Sequence, residues 1–158
     1  MKHFSWLPQK SGLIIAMGSL LLFSFSNTSR EPAANVTVTL MVDTDAVNKD
    51  NTDETCSFMG QPEGVSNKAF TIEVNVGDVV TWVGASTSSD DDVVEIIQIN
   101  YQGGKNVFGS NALNGKDGVV QGQIVNSTVG AADCKYNIKF RVKGKNGVFQ
   151  IDPVIKSH

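Results

Sequence analysis

Apolar and polar residues alternate one for one along much of the chain after Asn35. Val36, Val38, Leu40 and Val42 are separated by Thr37, Thr39 and Met41, and Phe70, Ile72, Val74 and Val76 by Thr71, Glu73 and Asn75. Ile97, Ile99 and Tyr101 enclose Gln98 and Asn100. The most regular run sets Tyr136, Ile138, Phe140 and Val142 against Lys135, Asn137, Lys139, Arg141 and Lys143. A period of two sends alternate side chains to opposite faces, so each run predicts a strand with one dry and one wet face. Shorter runs rich in Val and Ile at 79–83, 119–125 and 148–155 add further strands. No segment from residue 27 onward holds a helical period. About seven short strands, divided by clusters of Gly, Asn, Asp and Ser, predict an all-β fold, a single antiparallel Greek-key β-sandwich.

The turns carry their own signals. Asn146-Gly147, within 144–147, supplies the positive φ of a tight hairpin, and Gly77-Asp78 reverses the chain between two strand patterns. Pro153 places the last strand at an edge or marks an irregular end. Three connections are too long to be simple turns: an acidic one at 43–68, a small polar one at 84–92 and a Gly- and Asn-rich one at 103–118. Long loops often carry function. The segments 84–92 and 103–118 are therefore the expected recognition surface, with Phe108 and Leu113 holding the second one down.

The N-terminus differs from the rest. Lys2, His3 and Lys10 precede an apolar run at 12–25, and small residues follow at Ser24 and Ser26. That order describes a secretory signal peptide. Residues 1–26 are expected to be a cleaved leader and residues 27–158 a secreted or periplasmic domain. The apolar run is shorter than the ~20 residues that span a bilayer. An uncleaved anchor is the alternative, because no charge falls between Lys10 and Arg30. The whole chain has 13 basic and 16 acidic residues; without Lys2 and Lys10, 11 basic residues remain and the net charge is −5. This balance argues against nucleic acid or an anionic membrane as the main partner.

Cys56 and Cys134 are the only cysteines. An even pair in an oxidising compartment predicts a disulfide, which would restrict the unfolded chain by ~4 kcal/mol. Two free thiols, or a metal or redox role, are the alternatives.

Within 70–82, Val74, Val76, Gly77, Asp78, Val80 and Trp82 fill a pattern that resembles the early strand pair of the cupredoxin family, the small blue-copper β-sandwiches. The alternating run at 136–142, its short turn and the final strand look alike too. The resemblance spans about 70–155 and implies a cupredoxin-like scaffold. It does not carry over the copper ligands. The family's site uses two His, a Cys and usually a Met, placed after the Trp strand and around the last loop. Here 84–93 holds no His, 144–147 holds no Cys, His or Met, and Cys134 precedes the penultimate strand. No copper and no other cofactor is expected. The ending Ile151-Asp152-Pro153-Val154-Ile155 is also similar to that of uncharacterised secreted bacterial β-proteins, which names no function.

Other chemistry is sparse. Asp43, Asp45, Asn51 and Glu54 stand at positions 1, 3, 9 and 12 of an EF-hand loop, but Val47 occupies a ligand position and Asn48 replaces the turn glycine. A looser calcium site from Asp43, Asp45, Asp50, Asp53 and Glu54 is the weak metal candidate, against a solvated acidic loop. Asp90, Asp91 and Asp92 beside Glu95 pose the same choice. Residues 109–116 miss the phosphate-loop spacing by one residue and lack its Ser or Thr. From residue 27 on, the only His is His158, so triad catalysis lacks its base. Lys135, Lys139, Arg141 and Lys143 form a basic stripe that can dock an acidic polysaccharide or protein, or simply stay solvated. Asn27, Asn35 and Asn126 begin glycosylation sequons. The expectation is an exported, non-catalytic binding or structural module with an unknown protein or glycan partner; a calcium-binding or redox protein is the alternative.

Overall fold

The computed structural model describes residues 32–158, so the expected signal peptide and the Asn27 sequon lie outside the described residues. Ten strands and one short helix follow in order. Four strands make the first sheet. β1 (Asn35–Val42) turns Val38, Leu40 and Val42 inward; β2 (Cys56–Phe58) turns Cys56 and Phe58 inward. β4 (Val79–Ser86) contributes Val80 and Trp82, and β7 (Val120–Gln123) contributes Val120. Their order is β2-β1-β4-β7. The helix α1 (Thr52–Thr55) is a single turn before β2.

The second sheet is larger. β3 (Thr71–Val74), β10 (Val154–Ser157), β8 (Cys134–Val142), β5 (Val94–Gly103) and β6 (Ala112–Asn114) lie side by side in that order, and β9 (Phe149–Ile151) also pairs with β8. Ile96, Ile99, Tyr136, Ile138, Phe140 and Ile155 line its inner face, each no more than 1% exposed. A β-bulge between Ile96 and Gln98 takes up one extra residue, so Gln98 and Asn100 fall on the outer face while Ile99 stays inside.

Two expectations are corrected. The sheets are mixed, not antiparallel: β1 runs parallel to β4 from Asn35↔Val79 to Val42↔Ser86, and β10 runs parallel to β3. Alternation fixes which face a side chain takes but carries no information on strand direction. The count exceeds seven because β2, β6 and β9 have three residues each, too few to show a period. The last run is also divided. β9 and β10 hold the same register against β8 on either side of Asp152-Pro153, which puts Asp152 opposite Asn137 and Pro153 opposite Tyr136. Proline has no N–H to give the ladder, but its carbonyl accepts from the Tyr136 N–H at 3.2 Å.

Gly77-Asp78 is where the two sheets are tied. Gly77 has φ +106°, a conformation that favours glycine. The Asp78 carboxylate is buried, and its oxygens accept from the Asn75 N–H and the Ala34 N–H, both at 2.7 Å. One side chain thus closes the turn after β3 and fixes the entry to β1. The neighbouring backbone completes the junction, with Gly77 N–H donating to Ile124 O and Ile124 N–H to Asp78 O, both at 2.8 Å.

Removing that carboxylate leaves two backbone donors without their acceptor. Asp78→Ala is expected to lower unfolding stability by about 2–4 kcal/mol, and Asp78→Asn by less, because the amide keeps one acceptor oxygen. Urea unfolding monitored by Trp fluorescence checks this; an unchanged midpoint for the Ala variant would refute the clasp.

Candidate ligand-binding groove

The outward residues of β8 are Lys135, Asn137, Lys139 and Arg141, and they do not share one fate. Arg141 pairs with Glu95, its cross-strand neighbour on β5. Lys135 and Lys139 have no carboxylate partner among the described residues. Asn137, between them, is only 3% exposed although it faces away from the core. Strand register sets it in a straight row with Asp152 on one side and Asn100 on the other. The Asn137 Nδ2–H donates to Asp152 Oδ1 at 2.8 Å.

This row lies along a polar groove of about 690 Å³ on the outer face of the six-stranded sheet. Lys135, Lys139 and Lys68 flank it, the last from the turn before β3. Lys68 also meets Asp53 at 3.5 Å, with both side chains exposed. Gln150, Gln102 and Asn111 add amides to the lining. Two tyrosines border the groove, but Tyr136 belongs to the core and the half-buried Tyr101 gives its hydroxyl to Gly104 O at 2.6 Å.

Four buried side-chain polar atoms among the described residues lack a hydrogen-bond partner, and two of them fall in this one row: Asn100 Nδ2 and Asn137 Oδ1. A donor and an acceptor on directly opposed residues thus stand unmatched. Buried polar groups are nearly always paired, since an unmade bond costs about 1–3 kcal/mol. Both atoms are closed to solvent, so a hydroxyl, which donates and accepts at once, has the chemistry to satisfy both once the two side chains turn toward the groove.

The other candidate residues have local duties. Asp43 Oδ1 accepts from Ser88 Oγ at 2.7 Å and from the backbone N–H of Asp45 and Ala46. These bonds, the Ser88 one foremost, hold its carboxyl below the usual range. The buried Thr44 shares a hydrogen bond with Ser86 Oγ at 2.8 Å and donates to Asp92 Oδ2 at 2.5 Å. The acidic segment and the Ser-rich segment are therefore zipped together. Among Asp43, Asp45, Asp50, Asp53 and Glu54, Asp53 is drawn to Lys68; among the described residues no three acidic, His or Cys side chains gather in a way that could hold a metal ion. Asp90 and Asp91 are exposed. The His158 imidazole lies 3.5 Å from the Glu73 carboxylate.

The expected disulfide is not formed. Cys56 and Cys134 are both free and buried. Cys56 pairs with Val42 at the end of the first sheet that adjoins Val94 and Val142, as the contact of Gly84 with Val94 shows. Cys134 starts β8 at the other end, nine residues from Val142 inclusive, or about 26 Å along the strand. A bridge needs Cα atoms within about 7 Å. Burial raises both thiols, Cys56 to about 11, which leaves them protonated and unreactive at neutral pH.

The two expected recognition loops contribute little to the groove. Residues 84–86 continue β4, and 103–118 contains β6, with only Asn111 of that segment reaching the groove. Phe108 is 6% exposed and packs edge-on against Trp82 and Tyr136, while Leu113 lies over Gly122, where a Cβ would come within 2.4 Å of it. Of the sequons, Asn35 is exposed, whereas Asn126 donates its amide to Asn106 O at 2.9 Å. Asn100, Asn137, Gln150 and Asp152 escaped the sequence reading because an outward Asn looks the same in the alternation whether it is solvated or covered. No protein-family model matches the chain, and no curated protein matches it.

Replacing Asn100 by an apolar residue of similar size removes an unpaired donor and breaks no bond. Asn100→Leu is expected to leave thermal stability unchanged or raise it by about 1 kcal/mol. A loss of about 2 kcal/mol in calorimetry would show that the amide is already paired.

Proposed function

We propose that this protein is an exported, non-catalytic binding module: a cupredoxin-like Greek-key sandwich without copper, whose working surface is the polar groove and whose ligand is a glycan. The export reading rests on the charged and apolar pattern of residues 1–26. The scaffold reading rests on the resemblance at 70–82 together with two β-sheets packed through Trp82 and Tyr136.

One observation carries the binding reading. The row Asp152–Asn137–Asn100 keeps a donor and an acceptor unmatched in a groove of ligand size. Departures of this kind from full hydrogen-bond satisfaction are expected at functional sites. The lining favours hydroxyl-rich ligands. Besides Tyr101 and Tyr136 it is made of amides, ammonium groups and one carboxylate, and its sole aliphatic residue is Val154. A peptide that adds as a strand needs an open strand edge, and one that docks as a helix needs apolar pockets. The groove lies over β5, β8 and β9; β5 and β8 are paired on both sides, and the three-residue β9 pairs with β8 alone among the described residues. A single carboxylate, with no His, Cys or Ser in the lining, does not supply the acid and base pair that glycoside cleavage uses.

Isothermal titration with a panel of soluble neutral and acidic oligosaccharides tests this reading. At least one is expected to bind, to be recovered uncleaved after prolonged incubation, and to bind more weakly to folded Asn100→Leu. Binding of none, or binding untouched by that substitution, would contradict it.

A further inference from the structure

Resting on the glycan reading above, we infer that the groove is built for an acidic oligosaccharide that lies along β8 and meets Lys135 and Lys139 with two separate anionic groups. The charge count points there. Three ammonium groups, those of Lys68, Lys135 and Lys139, border a groove whose only carboxylate is Asp152. Asp152 already accepts from Asn137, and only Lys68 has a carboxylate partner among the described residues. The domain as a whole is acidic, with a net charge near −5 after the first 26 residues. A local excess of positive charge in an acidic protein is a feature a neutral ligand would not use.

Geometry adds a length requirement. Lys135 and Lys139 are four residues apart on one strand and point to the same face, with Asn137 midway. Their Cα atoms are therefore separated by about 13 Å. No single monosaccharide acid places a charge at both. An oligomer with a charge on successive sugars does, and presents a hydroxyl between them to Asn137 and Asn100. The aromatic option is closed. Tyr136 is 0% exposed and the half-buried Tyr101 packs against the core cluster, so neither ring is presented to the groove for neutral sugars to stack on. Charge and hydroxyl recognition must supply the affinity.

The groove also accounts for the division of labour along the basic stripe. Arg141, the strongest carboxylate binder of the four, is neutralised in place by Glu95. Lys135 and Lys139 are left to act, as flexible point charges able to follow a ligand.

The experiment compares tetragalacturonate with the same tetramer carrying methyl-esterified carboxyls, and adds alginate- and heparin-derived tetrasaccharides to vary sugar and anion. Titrations use the wild type and Lys135→Gln/Lys139→Gln, with circular dichroism confirming that the variant is folded. At least one acidic tetramer is expected to bind. Its neutral counterpart and its monomer are expected to bind at least about tenfold more weakly, the double variant to lose about tenfold, and added salt to weaken the complex. Equal binding of a neutral tetramer, or full affinity in the double variant, overturns the inference while leaving the glycan reading in place. Failure of all the acidic tetramers overturns it as well; binding of a neutral glycan sensitive to Asn100→Leu would then show that the groove is a glycan site of another kind.

Discussion

The Trp82 indole N–H donates to the Tyr136 hydroxyl at 3.2 Å, deep between the two sheets, and the outer surface takes its order from that contact. Both side chains are essentially unexposed, and Phe108 completes a cluster in which all three rings meet edge to face. Each such pair adds about 0.5–1.5 kcal/mol beyond the area it buries. The hydrogen bond also specifies position. Burial and the indole pull in opposite directions on the phenol, and burial prevails, raising it well above the usual tyrosine range. A neutral, buried hydroxyl needs a partner, and only one register of β8 provides it.

That register decides what faces outward. With Tyr136 inside, Lys135 and Asn137 cannot be; a slip of one residue would exchange the two faces entirely. The pairing of β8 with β5 then carries Asn137 to Asn100, and the β9 register carries it to Asp152. The break at Asp152-Pro153 frees a carboxylate at the level where Asn137 needs an acceptor for its amide. The core thus sets out the groove. Asp78 does comparable work where the two sheets are tied, joining through one carboxylate the start of β1 to the turn after β3.

Much of this was legible in the residues and some of it was not, for identifiable reasons. The alternation at 135–143 gave both faces of β8 correctly, because the period of two is a property of the strand itself. Gly77-Asp78 marked its turn by residue type, though the buried bonds of the Asp78 carboxylate depend on Ala34, which only the fold brings near. Strand direction was invisible, since β1 and β4 alternate identically whether parallel or antiparallel. The cysteine pairing failed because parity and compartment say nothing of distance along a strand. The acidic residues drew attention by number, yet Asp43 and Asp92 serve as acceptors that zip two segments together. Asn100 and Asn137 drew none, since an unmatched amide is defined by what is missing around it.

The claim with most at stake is the location of the binding surface. Backbone amide chemical-shift mapping of the isotope-labelled protein during titration with an acidic oligosaccharide addresses it directly. Shifts concentrated at Asn100, Lys135, Asn137, Lys139 and Asp152, with residues 87–93 unaffected, are the predicted result. Shifts centred instead on 87–93 or on 105–110, with the β8 outer face silent, would contradict it.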